Sequence, residues 1–251
     1  MLGKKPVNSI MRGAEILRCL SEGVDRISDI SQRTLMSKST VHRLLKSLIL
    51  TGLASQNEVT HRYCLGPLVH RLVSQPIIAH QDLIASAYDE MRQLMLATRE
   101  TINLNIPIGT ERMCLEEVES LENIKCVSGK GSIAPIYSGS AGKMLLAELD
   151  PEQLKIILKN VRFIALQKNT ITNEKDLLLE LEKVKTNGYA TSISERIADA
   201  ASISVPIRNY LCPVALSIMG TENRFRDKML DFLEDLKNSA ARISHKFASR
   251  P

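Results

Sequence analysis

Apolar positions recur first at helical spacing and later, past residue 100, in alternation with polar ones. In NSIMRGAEILRCLSEG, Ile10, Ala14, Leu17 and Leu20 repeat at three- and four-residue intervals and Gly23 ends the run, which predicts a first helix. RISDISQRTLM then predicts a short helix capped by Ser28 and a tight turn around Leu35 and Met36. In SKSTVHRLLKSLILTGL, steps of about 100° place Val41, Leu44, Leu45 and Leu48 on one side of a helix axis. Ser39, His42, Arg43 and Lys46 fall roughly opposite, Ser37 is a suitable N-cap and Gly52 a suitable stop. ASQNEVTHRYCLG follows as two short extended runs around a polar turn at residues 57–60, a wing-like hairpin closed by Gly66-Pro67.

RLVSQPIIAH reads as a linker over residues 71–80. It separates a first domain, residues 1–70, from a second, residues 81–251. The second opens with a long connecting helix whose stripe is Leu83, Ile84, Ala87, Met91, Leu94 and Met95. Periodicity alone fits an internal core helix and a chain-pairing helix equally well. TINLNIPIG, ERMCLEEVES, NIKCVSG, YATSIS, ASISVPIRN and CPVALSIMG read as strands. Helices start at Asp150-Pro151-Glu152-Gln153 and about Asn173, the latter stopping at Gly188, and a last amphipathic helix runs from Asn223 to Phe247. Strands and helices in mixed order predict an α+β sheet domain.

Charge divides the chain in the same place. The net charge of +5 over 251 residues arises within residues 1–70, which carry ten Lys/Arg and five Asp/Glu; the rest holds twenty-three of each. Such a local excess suits a polyanion. With no Trp, four Phe and five Tyr, a stacking platform for single strands is disfavoured, and duplex DNA is not. No apolar run approaches the roughly 20 residues of a membrane span, and MLGKKPVNSIM has no following apolar stretch of signal-peptide type, so no membrane partner and a cytoplasmic protein are expected.

Two short helices joined by a tight turn form a helix-turn-helix, and the second helix then enters a major groove with its first turns. Lys38, Ser39, Thr40, His42 and Arg43 become candidates for base edges or flanking phosphates, Lys46 for the DNA backbone, and His61 and Arg62 in the wing for the adjacent groove. The competing reading is a solvated cationic face with no partner.

Catalysis finds little support. No histidine lies between residues 81 and 244, so a Ser or Cys nucleophile there lacks its usual base. Glu116, Glu117 and Glu195 show no pairing by spacing. Counting back from Gly142-Lys143, a phosphate loop would need Gly at Tyr137 and Ser or Thr at Met144. No catalytic residue, cofactor or metal is expected: the five cysteines are widely spaced, with no Cys-x-x-Cys pair. Ser138 to Gly142 open the helix AGKMLLAEL, and such a start suits either an anion at its free N–H groups or close packing by small residues.

SIMRGAEILRCL, SKSTVHRLLKSLILTGL and HRYCLGPLVHRL resemble, in order and spacing, the winged helix-turn-helix of IclR-type (isocitrate lyase regulator) bacterial transcription regulators, and the resemblance runs to the C-terminus. It implies two domains: an N-terminal all-α winged helix-turn-helix, a connecting helix and a C-terminal α+β, GAF-like effector-binding domain. SGSAGKMLLAEL is similar to the family's HATALGKALLA segment, which implies Ser140 and Ala141 near the ligand with Ser138 and Tyr137 at the rim. GYATSISERIADAASISVPI corresponds to the family's GYAxDxEE segment, where Ser192 replaces the usual acid, Ala200 the Gly and Ser202 the Cys. Ser192, Ser202 and Ser204 are neutral hydroxyls suited to a carboxylate or similar oxyanion. Glu195 is either a ligand contact or a structural acceptor. The resemblance implies a regulator, repressor or activator, that binds a palindromic operator as a homodimer or dimer of dimers and answers to a small organic acid. Alternatives are a metabolite-modifying enzyme fused to a DNA-binding head, and a DNA-binding protein whose effector domain has lost its ligand.

Overall fold

Local capping chemistry sets several helix starts. In the computed structural model, which describes residues 8–73 and 76–248, Ser37 Oγ accepts the Thr40 N–H at 3.2 Å at the head of helix α3 (Lys38–Leu50). Asp150 Oδ1 accepts the Gln153 N–H at 2.9 Å ahead of α8 (Pro151–Asn160), and Asn173 Oδ1 the Asp176 N–H at 2.9 Å ahead of α9 (Glu174–Asn187). Each satisfies one N–H that the helix itself cannot. Ser37→Ala is expected to lower the stability of the N-terminal unit by about 1 kcal/mol in urea unfolding, and Ser37→Asp to retain most of it.

The chain divides into two compact units, one ending at Ala79 and one beginning at His80. The first is a winged helix-turn-helix: α1 (Asn8–Ser21), α2 (Ile27–Thr34) and α3, an antiparallel hairpin of β1 (Ala54–Gln56) and β2 (Tyr63–Leu65), then α4 (Pro67–Val73) and α5 (Pro76–Ala79). Its core gathers Ile16, Cys19, Leu20, Ile30, Val41, Leu45, Leu48, Ala54 and Tyr63. The buried side of α1 differs from the expected stripe. Ile10 and Ala14 are exposed, while Gly13, Ile16, Cys19 and Leu20 face inward, with Gly13 lying against Leu48 of α3. Nor does Ser28 cap α2: that helix begins one residue earlier, after extended Arg26, and Ser28 Oγ donates to Asp29 Oδ1 instead. Within the expected linker 71–80, α4 and α5 are helical, and residues 74 and 75 lie outside the described residues.

The second unit is an α+β domain built on a six-stranded antiparallel sheet in the order β5-β4-β3-β8-β7-β6. The strands are β3 (Thr101–Ile108), β4 (Glu111–Val118), β5 (Ile133–Pro135), β6 (Ala190–Ile193), β7 (Ala200–Ile207) and β8 (Val214–Thr221). Expected strand NIKCVSG is irregular; the strand that pairs with β4 is Ile133–Pro135. The expected last helix is two, α10 (Glu222–Arg226) and α11 (Met229–Ala248).

Register explains the layers. Ile102, Leu104 and Ile106 on β3, Ile203 and Val205 on β7, and Leu216 and Ile218 on β8 share one face and are buried. Helix α6 (Gln81–Thr98) packs across β3 and β4, and α11 across β7 and β8. The α6 stripe of Leu83, Ala87, Met91, Leu94 and Met95 is thus buried within its own unit. Helix α7 (Gly139–Ala147) lies on the other face, entirely buried between the sheet and α9. Among the described residues no helix is long and apolar enough to cross a membrane.

Candidate functional site

In the first unit the turn between α2 and α3 puts Leu35 in the left-handed region at φ 56° and almost fully exposed. Ser31 Oγ donates to Met36 O at 2.6 Å and fixes the turn from inside. Val41 and Leu45 anchor α3, which leaves Lys38, Ser39, His42, Arg43 and Lys46 exposed and Thr40 half-buried. The four basic side chains form no ion pair among the described residues, and the first turn of α3 holds no acid. The Ser39 and Thr40 hydroxyls lie 3.0 and 2.9 Å from Ser37 Oγ, so both take part in the cap.

In the wing, Asn57 Oδ1 accepts the Val59 and Thr60 N–H groups at 3.0 and 2.8 Å and shapes the tip. His61 follows, exposed, at φ 55°. Arg62 is exposed but engaged: its Nη1 donates to Asp25 Oδ2 at 3.0 Å, beside a bond from Tyr63 N to Asp25 O. It ties the wing to the loop after α1, whereas His61 is left facing outward.

In the second unit the sheet face beneath α7 is polar although buried. Asn103 and Asn105 on β3, Arg112 on β4, Ser192 on β6, Ser202 and Ser204 on β7, and Ser217 on β8 share it by register. All but the half-buried Ser202 are buried. A buried polar face needs internal partners. Ser140 Oγ lies 2.7 Å from both Ser202 Oγ and Ser204 Oγ, and Ser204 Oγ 2.7 Å from Ser217 Oγ, so four hydroxyls form one chain from α7 across two strands.

Gly139, at φ +81°, opens α7 in a conformation that favours glycine, and its N–H donates to Glu195 Oε2 at 3.0 Å. The other carboxylate oxygen accepts from Lys143 Nζ at 2.6 Å, and Lys143 Nζ also reaches Glu180 at 3.3 Å. Glu195 is therefore a structural acceptor at the helix start as well as part of the pocket wall. Arg112 Nη1 donates to Asn105 Oδ1 at 2.6 Å, while its buried Nε has no hydrogen-bond partner among the described residues. Burial, with the nearby charge of Arg196 adding to it, pushes the Arg112 guanidinium down to about 10. It remains a cation at neutral pH. Burial likewise pushes the Cys114 thiol up to about 12, which keeps it protonated and unreactive.

Arg112, Gly139, Ser192, Glu195, Arg196 and Ser202 surround a pocket of about 30 Å3, closed off by Ala200, Ala201, Ile197 and Met219. That is room for a water molecule or two, or for the head of a small anion. A larger groove of about 470 Å3 between α11 and β7 has its cations, Arg208 and Lys237, on the exposed rim. Size favours the groove, but buried unpaired polarity singles out the pocket.

Of the residues expected at the effector site, Ser192, Glu195 and Ser202 line this pocket, with Ser140 behind Ser202 in the hydroxyl chain. Ala141 is buried in the core with Met144 and Leu145. Tyr137 and Ser138 are not among the residues lining this pocket: Tyr137 OH both donates to Ile164 O and accepts from Ile164 N at 3.0 Å, its ring packs at a tilt against Phe163, and Ser138 Oγ donates to Pro135 O at 3.1 Å. Both are spent on the loops beside α7. Sequence reasoning passed over Arg112, Lys143 and Arg196, since cations in isolation read as surface residues. The available signal was the alternation Asn103-Asn105 and Ser202-Ser204, polar residues every second position inside otherwise apolar strands.

The family described as IclR helix-turn-helix domain matches residues 9–58, and the family described as bacterial transcriptional regulator IclR C-terminal matches residues 75–245. The HTH-type transcriptional regulator KdgR of Escherichia coli (strain K12) is 32% identical over 249 residues, covering 97% of this chain and 94% of that protein. The HTH-type transcriptional regulator KipR of Bacillus subtilis (strain 168) is 31% identical over 223 residues, 88% of each. Among solved structures, the IclR of Thermotoga maritima superimposes with a TM-score of 0.64 at 29% identity, covering 96% of this chain and 98% of that one.

Proposed function

Because the chain belongs to the IclR family of bacterial transcriptional regulators, we propose that it binds a palindromic operator as a homodimer through α3 and the wing, and that a small organic acid held beneath α7 modulates that binding. One observation carries the DNA reading: Lys38, His42, Arg43 and Lys46 project, exposed and without an ion pair among the described residues, from the second helix of a helix-turn-helix. Nothing acidic in the first turns opposes a phosphate. Arg43 is positioned for bidentate recognition of guanine, Lys38 and Lys46 for phosphates, and His61 for the neighbouring groove. Two copies related by a twofold axis would read half-sites one helical turn apart.

The acid reading rests on the pocket, where Arg112 and the Ser192 and Ser202 hydroxyls converge near the start of α7. Ligand and operator are then coupled by differential affinity: an acid that binds the DNA-competent arrangement less well weakens operator binding by roughly 5- to 150-fold. A non-enzymatic role fits a pocket whose single carboxylate, Glu195, is already bonded to Lys143 and Gly139. The protein would act in the cytoplasm, where its operator is.

Arg43→Ala is expected to cost roughly 1–3 kcal/mol at the preferred site, measured by fluorescence anisotropy against specific and random duplexes. Equal losses on both duplexes would reduce Arg43 to a phosphate contact. No loss on either would remove α3 from the groove.

A further inference from the structure

Helix α9 carries more leucine than its own unit buries. Leu177, Leu181 and Val184 pack inward in the core that also holds α7, whereas Leu178 and Leu179 point outward and are 38% and 57% exposed. A single exposed leucine is ordinary, but this adjacent pair shares one open surface with Glu174, Lys175 and Glu182. The charges beside the leucines are weakly engaged. Lys175 forms no ion pair among the described residues, and Glu182 has the exposed Lys185 at 3.3 Å, an i,i+3 contact of the solvated kind that contributes little.

The order of these residues complements itself. Lys175 stands three positions before Leu178, and Glu182 three positions after Leu179. Steps of about 100° bring Lys175 and Glu182 to within about 20° of each other around the helix, on a line that runs between the two leucines. A twofold axis crossing α9 between Leu178 and Leu179 reverses the helix direction. It therefore sets Lys175 of each copy opposite Glu182 of the other, twice, with the four leucines gathered at the centre. A parallel arrangement in the same register would set lysine against lysine and glutamate against glutamate, so charge fixes the antiparallel one. We propose that a second copy of this chain docks on this face, α9 antiparallel to α9. The pairing rests on the homodimer reading above and deepens it by naming a face through which copies meet.

Sedimentation velocity of the full-length protein over a concentration series reads the association step. Leu179→Glu, which sets like charges at the axis, is expected to halve the mass of the largest species. Lys175→Glu and Glu182→Lys, both at exposed positions, oppose like charges twice and are each expected to weaken association roughly 10- to 100-fold. An equimolar mixture of these two variants restores opposite charges at both contacts, as does the double variant Lys175→Glu/Glu182→Lys. Both are expected to associate within about threefold of the parent, and recovery in the mixture excludes misfolding, since neither chain has been repaired. Single variants that associate like the parent, or losses that neither the mixture nor the double variant recovers, overturn the α9 pairing and leave the homodimer reading standing. A parent protein that stays monomeric at every concentration and on operator DNA overturns both.

Discussion

Lys143→Ala is expected to lower the stability of the C-terminal unit by roughly 3–5 kcal/mol, the usual cost of stripping one partner from a buried ion pair. Lys143 is 2% exposed and sits on α7, a helix buried along its whole length. Truncation removes the donor to Glu195 at 2.6 Å and leaves that carboxylate, 8% exposed at its side chain, with the Gly139 N–H as its surviving hydrogen-bond donor. Glu180, 25% exposed, is better placed to find water. For a unit of this size the loss corresponds to a melting-temperature drop of about 2–4 °C per kcal/mol. The cost belongs to the orphaned charge rather than to the pair itself. Lys143→Met combined with Glu195→Gln should therefore recover most of it, and the double-mutant cycle in urea separates the two contributions. A single variant within about 1 kcal/mol of the parent would show that water reaches Glu195.

Gly142→Ala is expected to be of similar severity, at or above the upper end of the ~1–3 kcal/mol typical of overpacking. Glycine inside a helix normally costs about 1 kcal/mol relative to alanine, so propensity alone predicts a gain. Tertiary contact reverses the sign. A Cβ at this position would stand 2.0 Å from Ile136 O and 2.8 Å from Ile136 C, backbone atoms that no rotamer change can move aside. Gly13 in α1 supplies the control, because a Cβ there meets only Leu48 Cδ2 at 3.9 Å, an ordinary contact. Thermal unfolding of Gly13→Ala should be neutral or raised, and that of Gly142→Ala clearly lowered. Equal behaviour of the two would mean that the turn at Ile136, just after β5, yields freely.

The Gly142 contact also bears on how α7 starts. Small residues at the head of this helix admit an anion-binding reading and a close-packing reading, and the two are not exclusive. Gly142 serves packing against Ile136, whereas Gly139 and Ser140, three and two residues earlier, face Glu195 and the serines of β7.

Much of the N-terminal unit was legible because its determinants are local. The Ser37 cap, the Val41-Leu45-Leu48 stripe and the exposed cations of α3 lie within about a dozen residues, the range over which helical periodicity and capping act. Asp150 and Asn173 were readable for the same reason. The burial of α1 was less so, since Gly13 counts as apolar surface only once Leu48 is seen against it. Tyr137 was not legible in the same way: the family resemblance implied a rim position, and its hydroxyl bonds with the Ile164 backbone, 27 positions further on, appear only in the tertiary structure.

The sequence by itself determined two domains, a cationic helix-turn-helix and a sheet domain whose family resemblance pointed to the start of α7, because charge distribution, caps and periodicity are properties of short contiguous stretches. Tertiary structure alone decided the chemistry of the pocket. Ser140 meets Ser204 across 64 positions, Lys143 meets Glu195 across 52, and Arg112 is brought beside Arg196 from the far part of the sheet. Whether a serine, lysine or arginine is solvated or buried depends on which distant strand covers it, and burial is what makes its hydrogen-bond partners a matter of stability rather than of solvent.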